Sequence, residues 1–173
     1  MGLGDGVAIV RIGCRFPGDV YSQTDSSEFM LRRGNGVVEV PAGRWDADRY
    51  YDPDPAAPKR SYTRNGGFLS LSPWAFDAEF FGISSRDTEV MDPHQRWALE
   101  VGWDALDDAG IAGVVPGRNV GVYVGGFTTD NLIRRYATSG RHAVTSSTST
   151  GTTLAMVSNR LSRFTPPLSP TAW

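Results

Sequence analysis

Three side chains in this sequence belong to the types that act as nucleophiles or proton carriers near neutral pH: Cys14, His94 and His142. A cysteine attacks as its thiolate, which normally requires a neighbouring base or cation, and a histidine is the usual base. Arg15 follows the cysteine, but no recognisable spacing places either histidine beside it. Because a lone cysteine is usually a small buried hydrophobic residue, we expect Cys14 to be structural and the two histidines to occupy solvated or packing positions.

Carboxylates offer a second kind of chemistry, acid–base catalysis or metal binding. Their other interpretation is the solvated side of an amphipathic helix, which we favour because apolar residues occupy the opposite stripe. A glycine pair also precedes hydroxyl and acidic side chains, but without the glycine spacing of a phosphate-binding loop. The residues concerned are Glu100, Asp104, Asp107 and Asp108 on the helix, and Gly125-Gly126 followed by Thr128, Thr129 and Asp130. We therefore expect no catalytic, metal-binding or cofactor-binding residue in this chain.

The composition is that of one globular domain. The 173 residues carry a formal net charge of −2, with 40% hydrophobic and 21% charged residues, which argues against disorder and against a nucleic-acid-binding surface. One cysteine and two histidines are too few for an internal disulfide or a structural zinc site. No apolar run approaches the ~20 residues that cross a bilayer, and residues 1–6 form a leader without signal-peptide character. The sequence thus predicts a cytoplasmic protein without a membrane span.

The clearest predicted element is a helix that begins after Asp92. Asp92 is a good N-cap, Pro93 suits the first helical position, and Gln95 completes a capping box. Gly110 stands where a left-handed C-terminal cap belongs. A broad apolar stripe between these residues predicts that the helix packs on two sides.

Two short apolar runs, Val7–Ile12 and Val120–Val124, predict buried strands before and after this helix. Each run ends at glycine-rich turn signals. The order strand, helix, strand favours an α/β layer with a parallel sheet.

Two other segments are predicted around these elements. Ser26 or Ser27 caps a short helix that Gly34 stops. Residues 35–91 form a long loop rich in prolines and aromatic side chains, which we expect to pin the loop onto a neighbouring surface. A docking surface for a carrier protein or a neighbouring subunit is the alternative use of these aromatic residues, and we favour packing.

The C-terminal part combines small residues with a proline-rich end. Residues 146–153 are small and hydroxyl-bearing and lead into a helix whose small face permits close backbone contact. Residues 163–173 contain three prolines, which exclude a helix. We therefore divide the chain into a leader (1–6), a main region (7–162) and a divergent tail (163–173).

With these segments placed, the sequence resembles the ketosynthase domains of modular type I polyketide synthases over about residues 7–162. The resemblance rests on consecutive blocks that follow the order and spacing of the family. The blocks are VAIVRIGCRFPGDV, VPAGRWDADRYYDPDP, YTRNGGFL, FDAEFFGIS, MDPHQRWALEVGWDALDDAGI, NVGVYVGG and STGTTLAMVSNRLS.

The resemblance implies a fold and an activity. Ketosynthases adopt the thiolase fold, a layered α/β/α/β/α architecture that is usually a homodimer, so we expect the N-terminal part of this α/β fold. In the family, a nucleophilic cysteine takes an acyl chain from the phosphopantetheine arm of an acyl carrier protein. Two histidines then promote decarboxylative Claisen condensation. Acyl carrier protein and other synthase domains are the implied partners, and no cofactor is expected to bind directly.

The chain also departs from the family pattern. Arg11 stands where a small residue is usual, and His94 where a second glutamine is usual in the run Asp-Pro-Gln-Gln-Arg. After residue 162 the family continues through a Gly-Pro-Ser turn into a strand carrying Asp-Thr-Ala-Cys-Ser-Ser, whereas this chain reads RFTPPLSPTAW. The resemblance therefore predicts a chain truncated before the nucleophile strand, by a frameshift or an artificial cut, without the nucleophilic cysteine and both catalytic histidines.

Three functions stay open on these grounds. The first is a fragment of a condensing enzyme, an acyltransferase by class, that is inactive alone in polyketide or fatty-acid-type lipid synthesis. The second is a noncatalytic interaction protein that pairs with a ketosynthase remainder through its small-residue helix. The third, an independent cysteine enzyme, predicts that Cys14→Ser abolishes activity.

Overall fold

Seven helices and one two-stranded sheet form the regular structure of residues 6–115, 118–140 and 144–164, which are the residues that the computed structural model describes. The chain divides into two units. The small unit comprises residues 13–72, and the large unit comprises the described residues before and after that range.

The small unit is built around a short antiparallel sheet. Its elements are α1 (Gln23–Leu31), β1 (Val37–Glu39), α2 (Ala47–Tyr50) and β2 (Asn65–Gly67). Val38 pairs with Gly66 at the centre of the ladder. The ring of Trp45, in the connection between the strands, lies 5.6 Å from the ring of Phe68, which directly follows β2, so an aromatic contact packs the connection against the end of the sheet.

Helix α1 begins earlier than the sequence predicts. The hydroxyl of Ser22 accepts a hydrogen bond from the backbone N–H of Asp25 at 3.0 Å, and Ser22 rather than Ser26 or Ser27 is the N-cap. At the other end Arg33 adopts the left-handed conformation, with a φ of 53°. Gly34 then donates its backbone N–H to the carbonyl of Phe29 at 2.8 Å. Helix α1 therefore ends beside Gly34, but the left-handed residue is an arginine.

The large unit is mainly helical. Its helices are α3 (Ser85–Val90), α4 (Pro93–Asp108), α5 (Asp130–Ser139), α6 (Thr148–Thr152) and α7 (Ala155–Arg163). Helix α4 packs against α7, and α6 packs against α3 and α7. Helix α7 is the helix predicted after residue 153, and the small-residue run that leads into it contains a helix of its own, α6, which ends where the chain leaves helical geometry at Thr153.

The predicted ends of α4 are confirmed, but its capping box is wrong. The Asp92 carboxylate accepts a hydrogen bond from the His94 backbone N–H at 2.8 Å, and Gly110 has a φ of 66°. A capping box would return the Gln95 side chain to the backbone N–H of Asp92. That N–H instead donates to the carbonyl of Gly151 at 2.7 Å, which leaves Gln95 free to bind elsewhere.

The two predicted strands do not form. Residues 7–12 and 120–124 have no regular secondary structure, and the only sheet within the described ranges is the antiparallel β1–β2 pair. The predicted parallel sheet is therefore absent from this part of the chain. A β-strand requires a hydrogen-bonded neighbour, and none of the described segments supplies one. The side chains of these runs are consequently exposed, with Val7 98% and Tyr123 95% accessible.

Five aromatic side chains form a cluster in the large unit: Phe76, Phe80, Phe81, Trp103 and Phe164. Phe80 lies edge-on to Trp103 with ring centroids 5.0 Å apart, and Phe81 lies 4.8 Å from Phe164. This aromatic cluster ties the predicted long loop to α4, as its aromatic content indicates. The predicted tail begins inside packed structure, because Arg163 ends α7 and Phe164 joins the cluster; residues 165–173 lie outside the described residues.

None of the described helices has the length and apolar character needed to cross a bilayer.

Candidate functional site

Cys14, the candidate nucleophile, is buried in the small unit. Its residue is only 4% accessible and its thiol is free. The neighbouring cation binds backbone: Arg15 donates through Nη1 to the carbonyls of Cys14 at 2.9 Å and of Tyr21 at 3.2 Å. Cys14 thus has the burial of a structural residue.

The two histidines do not form a site in the described structure. The His94 side chain is exposed, and its Nδ1 lies 2.8 Å from a carboxylate oxygen of Asp92 at the start of α4. His142 lies outside the described residues. The ring of His94 therefore belongs to the cap of its own helix.

The carboxylates of α4 do not converge. Asp107 and Asp108 are exposed, and Glu100 and Asp104 are half-buried. Asp108 forms an ion pair with Arg11, whose Nε lies 2.7 Å from the carboxylate. Across the described ranges no group of three or more histidine, cysteine, aspartate or glutamate side chains is arranged to hold a metal ion. Asp107 and Asp108 are therefore surface carboxylates, and Asp108 is held by an ion pair.

The glycine pair is also not a phosphate loop. Gly125 has open space where a side chain would stand, and Gly126 lies against the Leu154 side chain. The following residues 127–129 have no regular structure before α5 begins at Asp130.

A buried polar group that the sequence does not single out lies instead at the start of α4: the amide of Gln95. This residue is 1% accessible. Its Nε2 donates to the carbonyls of Thr150 and Gly151 at 3.1 Å and of Thr153 at 3.3 Å. Its Oε1 accepts a hydrogen bond from Nε of Arg160 at 2.6 Å. We call these side chains and carbonyls the helix-junction network, because they join the start of α4 to α6 and α7.

Close backbone contact surrounds this network. A Cβ on Gly151 would lie 2.6 Å from the Val90 carbonyl oxygen, and one on Gly102 would lie 2.7 Å from a methyl group of Leu161. These distances leave no room for a larger residue at position 151, where the obstacle is backbone. The prediction that small residues allow close approach here is confirmed.

Charge in the network is only partly compensated. Burial lowers the pKa of the Arg160 guanidinium, and the charge of Asp87 opposes this effect. The pKa of Asp87 is itself held below its usual value, first by a hydrogen bond from the Ser147 side chain, then by Ser84 and by the charges of Arg160 and Arg86. The negative charge of Asp87 on α3 therefore attracts the positive charge of Arg160 on α7.

A second arginine, which unlike the half-buried Arg160 is almost fully buried, organises the other side of α4. Arg96 is 4% accessible and donates through Nε to the Met91 carbonyl at 3.2 Å and through Nη2 to the Thr88 carbonyl. Its guanidinium carbon lies 5.1 Å from the centre of the Trp74 ring. Burial lowers its pKa. Arg96 therefore satisfies the carbonyls that end α3 and fixes the turn between α3 and α4.

The sequence pattern places Gln95 in the cap and gives no role to Arg160. It does carry one signal of burial, since Gln95 lies one turn before Ala98 and Leu99 on the apolar stripe of the helix. A polar side chain on a buried face must find hydrogen-bond partners. Its partner could not be identified, because Arg160 is 65 residues away in the sequence.

A cleft of about 270 Å³ borders the network on the α7 side. Apolar side chains from α4, α7 and the aromatic cluster line it beside Asn159, Arg160 and Arg163. Together with the Gln95–Arg160 hydrogen bond, the packing around this cleft holds α7 against α4.

Solved structures have a similar fold. A ketosynthase domain of the oxazolomycin synthase from Streptomyces albus JA3453 matches with a TM-score of 0.76 and 32% identity, over 90% of this chain and 27% of that one. A point mutant of the ketosynthase from module 6 of the bacillaene synthase of Bacillus subtilis 168 matches with a TM-score of 0.73 and 30% identity, over 91% of this chain and 24% of that one. The chain therefore has a partial thiolase-like α/β fold.

Sequence relatives agree with the structures. The family model for the β-ketoacyl synthase N-terminal domain matches residues 5–165. A mycocerosic acid synthase-like polyketide synthase of Mycolicibacterium smegmatis is 40% identical over 157 residues, which are 90% of this chain and 7% of that protein. A phenolphthiocerol/phthiocerol polyketide synthase polypeptide of Mycobacterium tuberculosis is 51% identical over 105 residues, 61% of this chain and 7% of that protein. The chain belongs to the β-ketoacyl synthase family of the polyketide synthases, and spans a small part of the length of these relatives.

Proposed function

We propose that residues 7–162 are the N-terminal part of a polyketide synthase ketosynthase whose complete form catalyses decarboxylative Claisen condensation of acyl thioesters. The acyl groups would be carried on the phosphopantetheine arm of an acyl carrier protein, with the other synthase domains as partners. The free thiol of the chain fits a reducing, cytoplasmic setting.

The proposal further holds that residues 1–173 do not catalyse condensation by themselves. Acyl transfer of this kind needs an accessible thiolate with a base or cation beside it. The one cysteine of the sequence is buried, and Arg15 directs its guanidinium to backbone carbonyls. A second stretch of ketosynthase would therefore have to supply the nucleophile and the histidines.

One observation carries this proposal: the two apolar runs at 7–12 and 120–124 are largely exposed and belong to no sheet. Unpaired strand segments with apolar side chains are templates for pairing with another strand. The same observation favours a second candidate function, in which the chain acts as a noncatalytic protein that pairs with a ketosynthase remainder. A homodimer is a third way to cover these segments.

The test uses residues 1–173 produced alone and produced together with the remainder of the ketosynthase of the 40%-identical Mycolicibacterium relative, starting at its Gly-Pro-Ser turn. Both samples are incubated with an acyl carrier protein charged with an acyl thioester, and covalent adducts are located by mass spectrometry. We expect no adduct on residues 1–173 alone and an adduct on the cysteine of the remainder in the co-purified pair.

Controls separate the candidate functions. Cys14→Ser should leave acylation of the pair unchanged, because the proposal gives this thiol no chemistry. Co-purification without acylation or condensation would favour the noncatalytic interaction protein. An adduct on Cys14, or condensation by residues 1–173 alone, would overturn the proposal.

A further inference from the structure

One amide side chain joins α6 and the residue after it to the last turn of α7. Through Nε2, Gln95 donates to the carbonyls of Thr150 and Gly151 in α6 and of Thr153, which lies two residues before α7 begins. Through Oε1 it accepts a hydrogen bond from Arg160, which lies in the last turn of the same helix. This is possible because long helical side chains point back towards the N-terminus of their helix.

The partners admit only one orientation of the amide. Its NH₂ group faces three acceptors, and its carbonyl oxygen faces a guanidinium donor. A flipped amide would set an oxygen against three carbonyl oxygens and an NH₂ group against a cation. The pair therefore defines one axial position of α7 relative to α4 rather than a range of positions.

Stability alone gives a weak reason for this pair. Burial disfavours the charged form of Arg160, and in the described structure no carboxylate lies within ion-pair distance of it. Even the partial burial of this cation costs free energy, and a well-packed apolar pair often stabilises a core better. What the polar pair provides, and an apolar pair would not, is a fixed register between two helices.

We propose that Gln95 and Arg160 are positioning residues that fix the axial register of α7 against α4, and thereby the chain that follows α7 in a complete ketosynthase. The inference rests on the proposed function, in which that following chain carries the nucleophile. Neither side chain is assigned contact with substrate. A displacement of about 1 Å at a reacting centre can lower a rate on the order of 100-fold, so loss of the pair should appear in the chemical step.

The first experiment compares Gln95→Met, Arg160→Met, Arg160→Lys and the double methionine variant in the assembled pair described above. The rate constant for acylation of the nucleophilic cysteine at saturating acyl carrier protein should fall roughly 10- to 100-fold in each methionine variant. The KM for the acyl carrier protein should change less than about twofold, because binding is not altered. Rates are normalised to the amount of that cysteine that a thiol reagent can alkylate, which removes the contribution of misfolded protein.

Coupling between the residues distinguishes positioning from independent structural roles. The double variant should be no slower than the single ones, because either change breaks the same unit. Arg160→Lys, which keeps a donor and the charge, should recover part of the rate. The matched control is His94→Gln, which changes an exposed neighbour one residue away and should leave the rate unchanged. Additive losses, or normal rates in the methionine variants, would overturn the inference.

Hydrogen exchange of residues 1–173 tests the geometric part independently of condensation. Gln95→Met should raise deuterium uptake in peptides covering α6 and α7, and His94→Gln should not. If the two co-purified wild-type polypeptides fail to acylate, the proposed function fails. Unchanged deuterium uptake in Gln95→Met would then overturn the positioning inference as well, whereas raised uptake would support Gln95 and Arg160 as the contact that fixes the position of α7.

Discussion

The backbone N–H of Asp92 donates a hydrogen bond across 2.7 Å to the carbonyl oxygen of Gly151, so that the first residue before α4 is bound to the interior of α6. At the same point the Gln95 amide binds the same carbonyl. Both contacts require the backbone of α6 to lie directly against Val90, and only a residue without a Cβ permits this approach.

Gly151→Ala should therefore destabilise the large unit. The added Cβ would stand 2.6 Å from the Val90 carbonyl oxygen, which is backbone and cannot move aside as a flexible side chain would. Overpacking of this kind costs about 1–3 kcal/mol, which thermal unfolding followed by circular dichroism would detect. Gly125→Ala is the control, because open space surrounds a Cβ at that position; equal effects of the two changes would contradict the steric explanation.

The aromatic cluster gives a second prediction. Phe80 is half-buried and contacts the rings of Phe81, Trp103 and Phe164. Phe80→Ala should lower the free energy of unfolding by about 2 kcal/mol, less than the roughly 3–5 kcal/mol of a fully buried phenylalanine, and should shift the tryptophan fluorescence. Phe127→Ala, at a residue that is 97% accessible, should change the urea midpoint little. A large loss at Phe127 would mean that this ring is covered in solution.

Cys14 provides a probe of the small unit. Because only 4% of the residue is accessible, alkylation by iodoacetamide should be slow in the native protein and fast in urea, since the reactive thiolate must reach solvent. Mass spectrometry of the labelled peptide over time measures both rates. Equal rates with and without urea would show that the small unit does not bury this thiol.

The comparison of sequence and structure separates local from long-range information. The ends of α4 were predictable, because Asp92 and Gly110 act through bonds to their own helix. The role of Gln95 was not, because its partners Thr150 and Arg160 lie at least 55 residues away. The strands at 7–12 and 120–124 were predicted from apolar runs, but an apolar run indicates only a preference for burial, and a ladder also needs a neighbouring strand.

Acid sensitivity is the last prediction and concerns Asp87. Hydrogen bonds from Ser147 and Ser84 and the charges of two arginines hold the pKa of this carboxyl group below its usual value in the folded protein. The unfolded chain, with an ordinary aspartate pKa of about 3.9, then binds the proton more readily than the folded chain does. The stabilising contribution is therefore fully present above about pH 4 and is lost as the pH falls through the lower, folded-state pKa.

Asp87→Asn should remove this contribution, so that the urea midpoint falls less steeply between about pH 5 and pH 2 than in the wild type. Ser147→Ala should produce a smaller change in the same direction, because it removes the largest of the effects that lower the pKa. The control is Asp107→Asn on the exposed side of α4. In this variant the urea midpoint should fall with decreasing pH as steeply as it does in the wild type. An Asp87→Asn profile parallel to that of the wild type would show that this carboxylate does not link α3 to α7 through its charge.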